Sequence, residues 1–177
     1  RSIMESDLHR AITERQFVLY YQQQVYHNRQ ILAAEVLLRW QHPSGKLISP
    51  AEFIPVAEDS GLIVPMTRSI IKQTLKHVDD VLIRDRSLKV SFNITPQDLV
   101  SDGFIMDLVS IVSDSRVKPE QIVLEITERQ EIKDEHKAAG VIESLKALGY
   151  RIALDDTGTG HNGLSYIQDL NADIMKI

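Results

Sequence analysis

The sequence predicts an α/β fold built on a parallel sheet with crossover helices. Three observations carry that expectation. Apolar runs of strand length alternate with segments of helical periodicity over the second half of the chain. Helix starts are marked by capping signals at Ser49-Pro50-Ala51-Glu52 and Thr95-Pro96-Gln97-Asp98. Six strands in 177 residues are about three quarters of what an eight-stranded (β/α) barrel of roughly 250 residues contains. A doubly wound open sheet is the competing architecture.

In chain order, an opening helix fits Ser6 or Asp7 through Arg15. Two apolar runs, 17–25 and 31–40, follow as strands joined by a turn at Tyr26-His27-Asn28-Arg29. Ser49 caps the next helix, with Pro50 at its first position, Glu52 closing a capping box and Gly61 as its stop. A longer helix over about 65–83 places Ile70, Ile71, Leu75, Val78 and Leu82 at helical spacing. Residues 88–94 form a strand, and a helix starts at Thr95. Residues 121–127 form a strand, and a helix runs from about Lys133 to Leu148 with Gly149 as its stop. Residues 150–156 form the fifth strand; a glycine-rich loop and a short helix at 164–170 follow, and 173–177 open a sixth strand. The chain stops inside that strand, so residues 1–177 are expected to be one domain that is itself a fragment, lacking its last two strands.

Composition narrows the function. Without Cys, a disulfide framework, a thiolate metal site and a Cys nucleophile are excluded. A formal charge of −5 argues against a nucleic-acid polymer as partner. No apolar stretch approaches the roughly 18 residues of a membrane span, and a cytoplasmic location is expected, either alone or as the cytoplasmic part of an anchored protein.

The chemistry lies within and at the ends of the strands. Glu35 interrupts the run Leu32-Ala33-Ala34-Glu35-Val36-Leu37-Leu38; Asn93 ends Ser91-Phe92-Asn93; Glu125 ends Val123-Leu124-Glu125; Asp155-Asp156 end Ala153-Leu154. Buried carboxylates need partners, and Lys176 is the one cation of this set. A single strand-end carboxylate is more often a helix cap or an ion-pair partner. Recurrence in four successive units reverses those odds. Oxygen donors without His or Cys suit a hard cation such as Mg²⁺ or Mn²⁺, and the adjacent Asp155 and Asp156 suggest a bridge between two ions. Two metals are the apparatus for in-line attack of water at phosphorus. The glycine-rich Gly158-Thr159-Gly160, with His161 beside it, lacks the residues of a P-loop.

These residues resemble the EAL domain, the bacterial cyclic di-GMP phosphodiesterase module. The matching segments are Tyr20-Tyr21-Gln22, Glu35-Val36-Leu37-Leu38-Arg39-Trp40 with His42-Pro43, Ser49-Pro50, Phe53-Ile54-Pro55, Ala57-Glu58 and Ser60-Gly61-Leu62. They continue through Phe92-Asn93-Ile94-Thr95-Pro96, Leu124-Glu125-Ile126-Thr127-Glu128, Asp155 to Gly160, Leu164-Ser165-Tyr166 and Lys176-Ile177. The resemblance implies a TIM-type (β/α) barrel, here truncated after its sixth strand, which uses two divalent ions to linearise cyclic di-GMP to pGpG. By position it makes Glu35, Asn93, Glu125, Asp155 and Asp156 metal ligands, with Lys176 orienting the attacking water. Glu35, Asp156 and Lys176 are then the catalytic set. Gln22, Leu37 and Arg39 occupy substrate-contacting positions, Arg39 suited to a phosphate, and Glu128 anchors the loop after the fifth strand. A homodimer and companion regulatory domains are implied as well.

The sequence departs from the family pattern at Val36 (usually Ala), Gln23-Gln24 (usually Pro-Ile), Thr157 (usually Phe) and His161 (commonly Tyr). Thr157 motivates a second reading, a degenerate domain that senses cyclic di-GMP or binds a protein without hydrolysis. A glycoside hydrolase using Glu35 and Glu125 ranks below both. It has no use for Asn93 and two Asp, and the chain has a single Trp, Trp40.

Overall fold

The computed structural model describes residues 5–25, 32–127, 133–154 and 174–175. Helix α1 (Glu5–Thr13) buries Leu8 and Ala11, and the chain leaves it through Arg15 in the left-handed region, φ 54°. The predicted helix therefore ends two residues early. Strands β1 (Phe17–Val25) and β2 (Leu32–Gln41) follow, then a two-residue strand β3 (Leu47–Ile48) that sequence periodicity is too short to reveal. Helix α2 (Pro50–Ser60) starts after Ser49 and stops at Gly61, φ 79°. The predicted capping box there is absent: the Ser49 side chain makes no cap bond, and the Glu52 N–H donates to the Ser49 carbonyl at 3.0 Å instead.

Helix α3 (Ile63–Arg84) is longer than its apolar pattern, and β4 (Lys89–Ile94) follows. The helix predicted at Thr95 is two helices, α4 (Pro96–Val100) and α5 (Phe104–Ser113). They are separated where Gly103 adopts φ 72°. A short 3₁₀ turn at Pro119–Gln121 leads into β5 (Ile122–Ile126). Helix α6 (Glu135–Ala147) starts at Asp134, whose side chain accepts the Lys137 N–H, and is followed by β6 (Arg151–Leu154) and β7 (Ile174–Met175). The predicted glycine-rich loop and the helix at 164–170 lie outside the described residues.

β1 pairs antiparallel with β2, from Phe17 opposite Trp40 to Val25 opposite Leu32. From β2 onward the neighbours are parallel, in the order β2-β4-β5-β6-β7, with β3 attached beside β2. The parallel strands are laid down in chain order without reversal. A doubly wound sheet reverses at a switch point; a barrel does not.

Side-chain alternation sorts the sheet into two faces. One carries Val36, Trp40, Val90, Phe92, Ile94, Ile122, Leu124, Ile126, Ile152 and Leu154 into a core shared with the helices. On the other face Ala33, Val123 and Ala153 form a separate small cluster. Among the described residues the main core lies on one side of the sheet, the arrangement of a TIM-type barrel wall with its helices outside. Trp40 seals the start of the wall. Its ring meets Phe53 edge-on at 6.0 Å and lies 6.3 Å from Phe17, and its indole N–H donates to Gln16 Oε1 at 3.0 Å.

Candidate active site

The inner face changes character along the strands. At its N-terminal end stand Lys89 and Arg151; burial, and then Arg151, hold the Lys89 ammonium below its ordinary pKa. The cluster of Ala33, Val123 and Ala153 follows, together with buried Ser91. Toward the C-terminal ends come Glu35, Asn93 and Glu125. All three follow from period two, since Glu35 pairs with Ser91, and Asn93, two residues beyond Ser91, pairs with Glu125.

Glu35 is 8% exposed and Glu125 fully buried, whereas Asn93 is exposed. The Asn93 amide donates to Glu35 Oε2 at 3.2 Å. The Gln24 amide, itself 9% exposed, donates to Glu35 Oε1. Both donors are neutral amides, and between them they orient the carboxylate. The β4 end is fixed by a capping box in which the Thr95 hydroxyl accepts the Asp98 N–H at 3.1 Å and Asp98 Oδ2 accepts the Thr95 N–H at 3.0 Å. The Thr127 N–H donates to the Ile94 carbonyl at 3.1 Å, which ties the end of β5 to that of β4.

Glu35, Asn93 and Glu125, predicted as ligands, are thus brought to one face by three adjacent parallel strands. Leu37 and Arg39 continue that face toward the C-terminal end of β2, both half-buried. The Arg39 guanidinium lies 6.0 Å from the centre of the Tyr20 ring and donates to the Leu38 carbonyl at 2.7 Å. Gln22 is the register partner of Glu35, with its side chain exposed. Asp155, Asp156, Lys176, Glu128, Thr157 and His161 lie outside the described residues. Among the described residues no three His, Cys, Asp or Glu side chains cluster as a metal site; the donor set there is two carboxylates and one amide. That set fits a hard divalent cation, which takes carboxylate and amide oxygens and is held best by carboxylates already oriented by hydrogen bonds.

Two buried groups go beyond what the sequence announces, Asp98 having been legible only as a helix-capping residue. Gln24 appeared only as a departure from a pattern, and its contact with Glu35 becomes visible once the β1–β2 register is known. Asp98, fully buried, has its carboxyl pKa pushed up to about 6, chiefly by burial, with bonds from Thr95 and Thr67 and the charge of Arg68 opposing the rise.

The fold and face define a TIM-type α/β domain with acidic and amide oxygens gathered on the inner face of its strands, Asn93 and Glu125 at the C-terminal ends of theirs. The EAL domain model matches residues 5–177, and the chain belongs to the EAL domain family. It is 36% identical over 175 residues to the probable cyclic di-GMP phosphodiesterase PdeG of Escherichia coli K12, covering 98% of this chain and 34% of that protein. It is 38% identical over 168 residues to the probable cyclic di-GMP phosphodiesterase PdeB of the same organism, covering 94% of this chain and 32% of that one. The chain thus spans about a third of the length of these curated relatives. Among solved structures it resembles the PaMucR phosphodiesterase in complex with c-di-GMP, with a TM-score of 0.81 and 30% identity over 94% of this chain and 68% of that one. Among the described residues no helix is long and apolar enough to cross a membrane.

Proposed function

We propose that this chain is the greater part of a metal-dependent phosphodiesterase domain, residues 1–177, that linearises cyclic di-GMP to pGpG. The observation that carries this reading is the placement of Glu35, Asn93 and Glu125 on one face by three consecutive parallel strands. Membership of the EAL family supports it.

Glu35, Asn93 and Glu125, with Asp155 and Asp156 after β6, would hold two Mg²⁺ or Mn²⁺ ions. Such ions, when bound, lower the pKa of a water and neutralise charge developing on a phosphate. The protein's own groups do the rest. Arg39 binds a phosphate oxygen, which suits its place on the inner face beyond Glu35. Gln22 and Leu37 contact the dinucleotide, Lys176 orients the attacking water, and Glu128 anchors the loop that carries Thr157 and His161. Water adds at one ring phosphorus, one P–O bond of the ring breaks, and the linear dinucleotide leaves. In this reading the domain is cytoplasmic, works as a homodimer and answers to other domains of the same full-length chain.

The test is hydrolysis by the purified full-length protein, followed by chromatography of cyclic di-GMP and pGpG with Mg²⁺ or Mn²⁺ present. Turnover that excess EDTA abolishes is expected. Activity that survives EDTA would refute the metal-dependent mechanism, and tight binding of cyclic di-GMP without turnover would make the domain a sensor.

A further inference from the structure

Gln24 occupies an unusual place for an amide. It lies on the inner face of β1, buried, and donates to Oε1 of Glu35 while Asn93 donates to Oε2. Its position in the ladder gives the contact a direction. Gln22 is the register partner of Glu35, and Gln24 that of Ala33, one inward-facing step toward the N-terminal end of β2. The Gln24 amide therefore reaches the carboxylate from the side away from the C-terminal mouth.

We propose that Gln24 is a positioning residue that presets the Glu35 carboxylate for a divalent cation. The inference rests on the function proposed above. Its physical basis is that a buried carboxylate on a flexible stem loses rotamer freedom when it binds a metal. An amide that fixes one oxygen beforehand removes part of that loss. Asn93 clamps the other oxygen through its N–H, which leaves the Asn93 carbonyl oxygen free to act as a ligand. A hydrocarbon side chain at position 24 would fill the same space and remove this clamp, while the Asn93 bond to Oε2 stays in place.

The test is calorimetric titration of the full-length protein with Mn²⁺ alone, comparing wild type, Gln24→Met and Gln24→Leu, which remove the donor with two different shapes, and Gln24→His, which keeps an N–H of similar reach. Folding of each is checked by circular dichroism. Both donorless variants are expected to stay folded and to bind Mn²⁺ about tenfold more weakly, with Gln24→His recovering most of the loss. If the wild type binds and a folded donorless variant binds within twofold of it, the positioning role is wrong and the proposed function stands. If both donorless variants unfold, Gln24 is a structural residue and the inference is likewise wrong. If the wild-type protein takes up no Mn²⁺, the proposed function and this inference fall together.

Discussion

The Thr67 hydroxyl on α3 donates to Asp98 Oδ2 on α4 at 3.0 Å, joining two helices through a carboxyl group that is fully buried. The same oxygen takes the Thr95 N–H and hydroxyl, both at 3.0 Å, while Oδ1 is buried without a hydrogen bond. Burial outweighs these three bonds and the charge of Arg68, and the carboxyl pKa rises to about 6.

A pH dependence of stability follows. The folded pKa lies above the ordinary 3.8, so the native state binds the proton more tightly than the unfolded chain. The Asp98 contribution is complete below about pH 4 and is withdrawn as the pH rises through about 6, by at most about 3 kcal/mol. Urea denaturation of wild type and Asp98→Asn at pH 4.5 and pH 7 isolates this group from the other acids. The Asn variant should gain on the wild type by about 1–3 kcal/mol between the two pH values; a constant difference would contradict the assignment.

Glu125 is fully buried next to its register partner Asn93. Gln at position 125 keeps the shape and one acceptor oxygen but removes the anionic donor. Metal-free Glu125→Gln is therefore expected to melt no lower than wild type, while turnover falls about a hundredfold or more, the equivalent of several kcal/mol of lost metal catalysis. Parallel loss of melting temperature and activity would instead mark Glu125 as structural.

Gln121 joins three chain segments from one buried side chain. Its Nε2 donates to the Leu82 and Leu88 carbonyls at 2.8 and 3.1 Å, and its Oε1 accepts from Arg86 at 2.9 Å. Leu at this position strands buried carbonyls and should cost about 2–3 kcal/mol. The denaturation midpoint should drop at constant m-value, with turnover under stabilising conditions retained, because this junction lies at the opposite end of the strands from Glu125.

Gly149 adopts φ 101°, and a Cβ there would meet Glu120 Oε1 at 2.6 Å. The carboxylate end can swing away, but the backbone cannot relax without moving β6. Gly149→Ala is expected to lose about 1–2 kcal/mol, and the further change Glu120→Ala should return only a minor part. Full recovery in the double variant would show that the clash, rather than the dihedral angle, sets the cost.

The legible part of the sequence was local. Thr95 and Asp98 do form the capping box that their spacing announces, because both groups are near neighbours on one turn. Ser49 and Glu52 have the same spacing and do not, since the Ser49 carbonyl has taken the Glu52 N–H. The break at Gly103 falls on Ser101-Asp102-Gly103, a turn signal that was present in the sequence but that the single helix start at Thr95 overshadows. Within the site, Glu35, Asn93 and Glu125 were readable as polar interruptions of apolar strands. Gln24 was not, because its contact with Glu35 is a cross-strand one that only the register of an antiparallel pair creates.

The two-sided wall separates the side chains that hold the fold from those open to chemistry. Along β4 and β5 the outward residues Phe92, Ile94, Leu124 and Ile126 serve the core, and the alternating inward ones, Asn93 and Glu125, line the face of the proposed site. Substitution at every second position of these strands can therefore alter the proposed site while the outward core is left untouched.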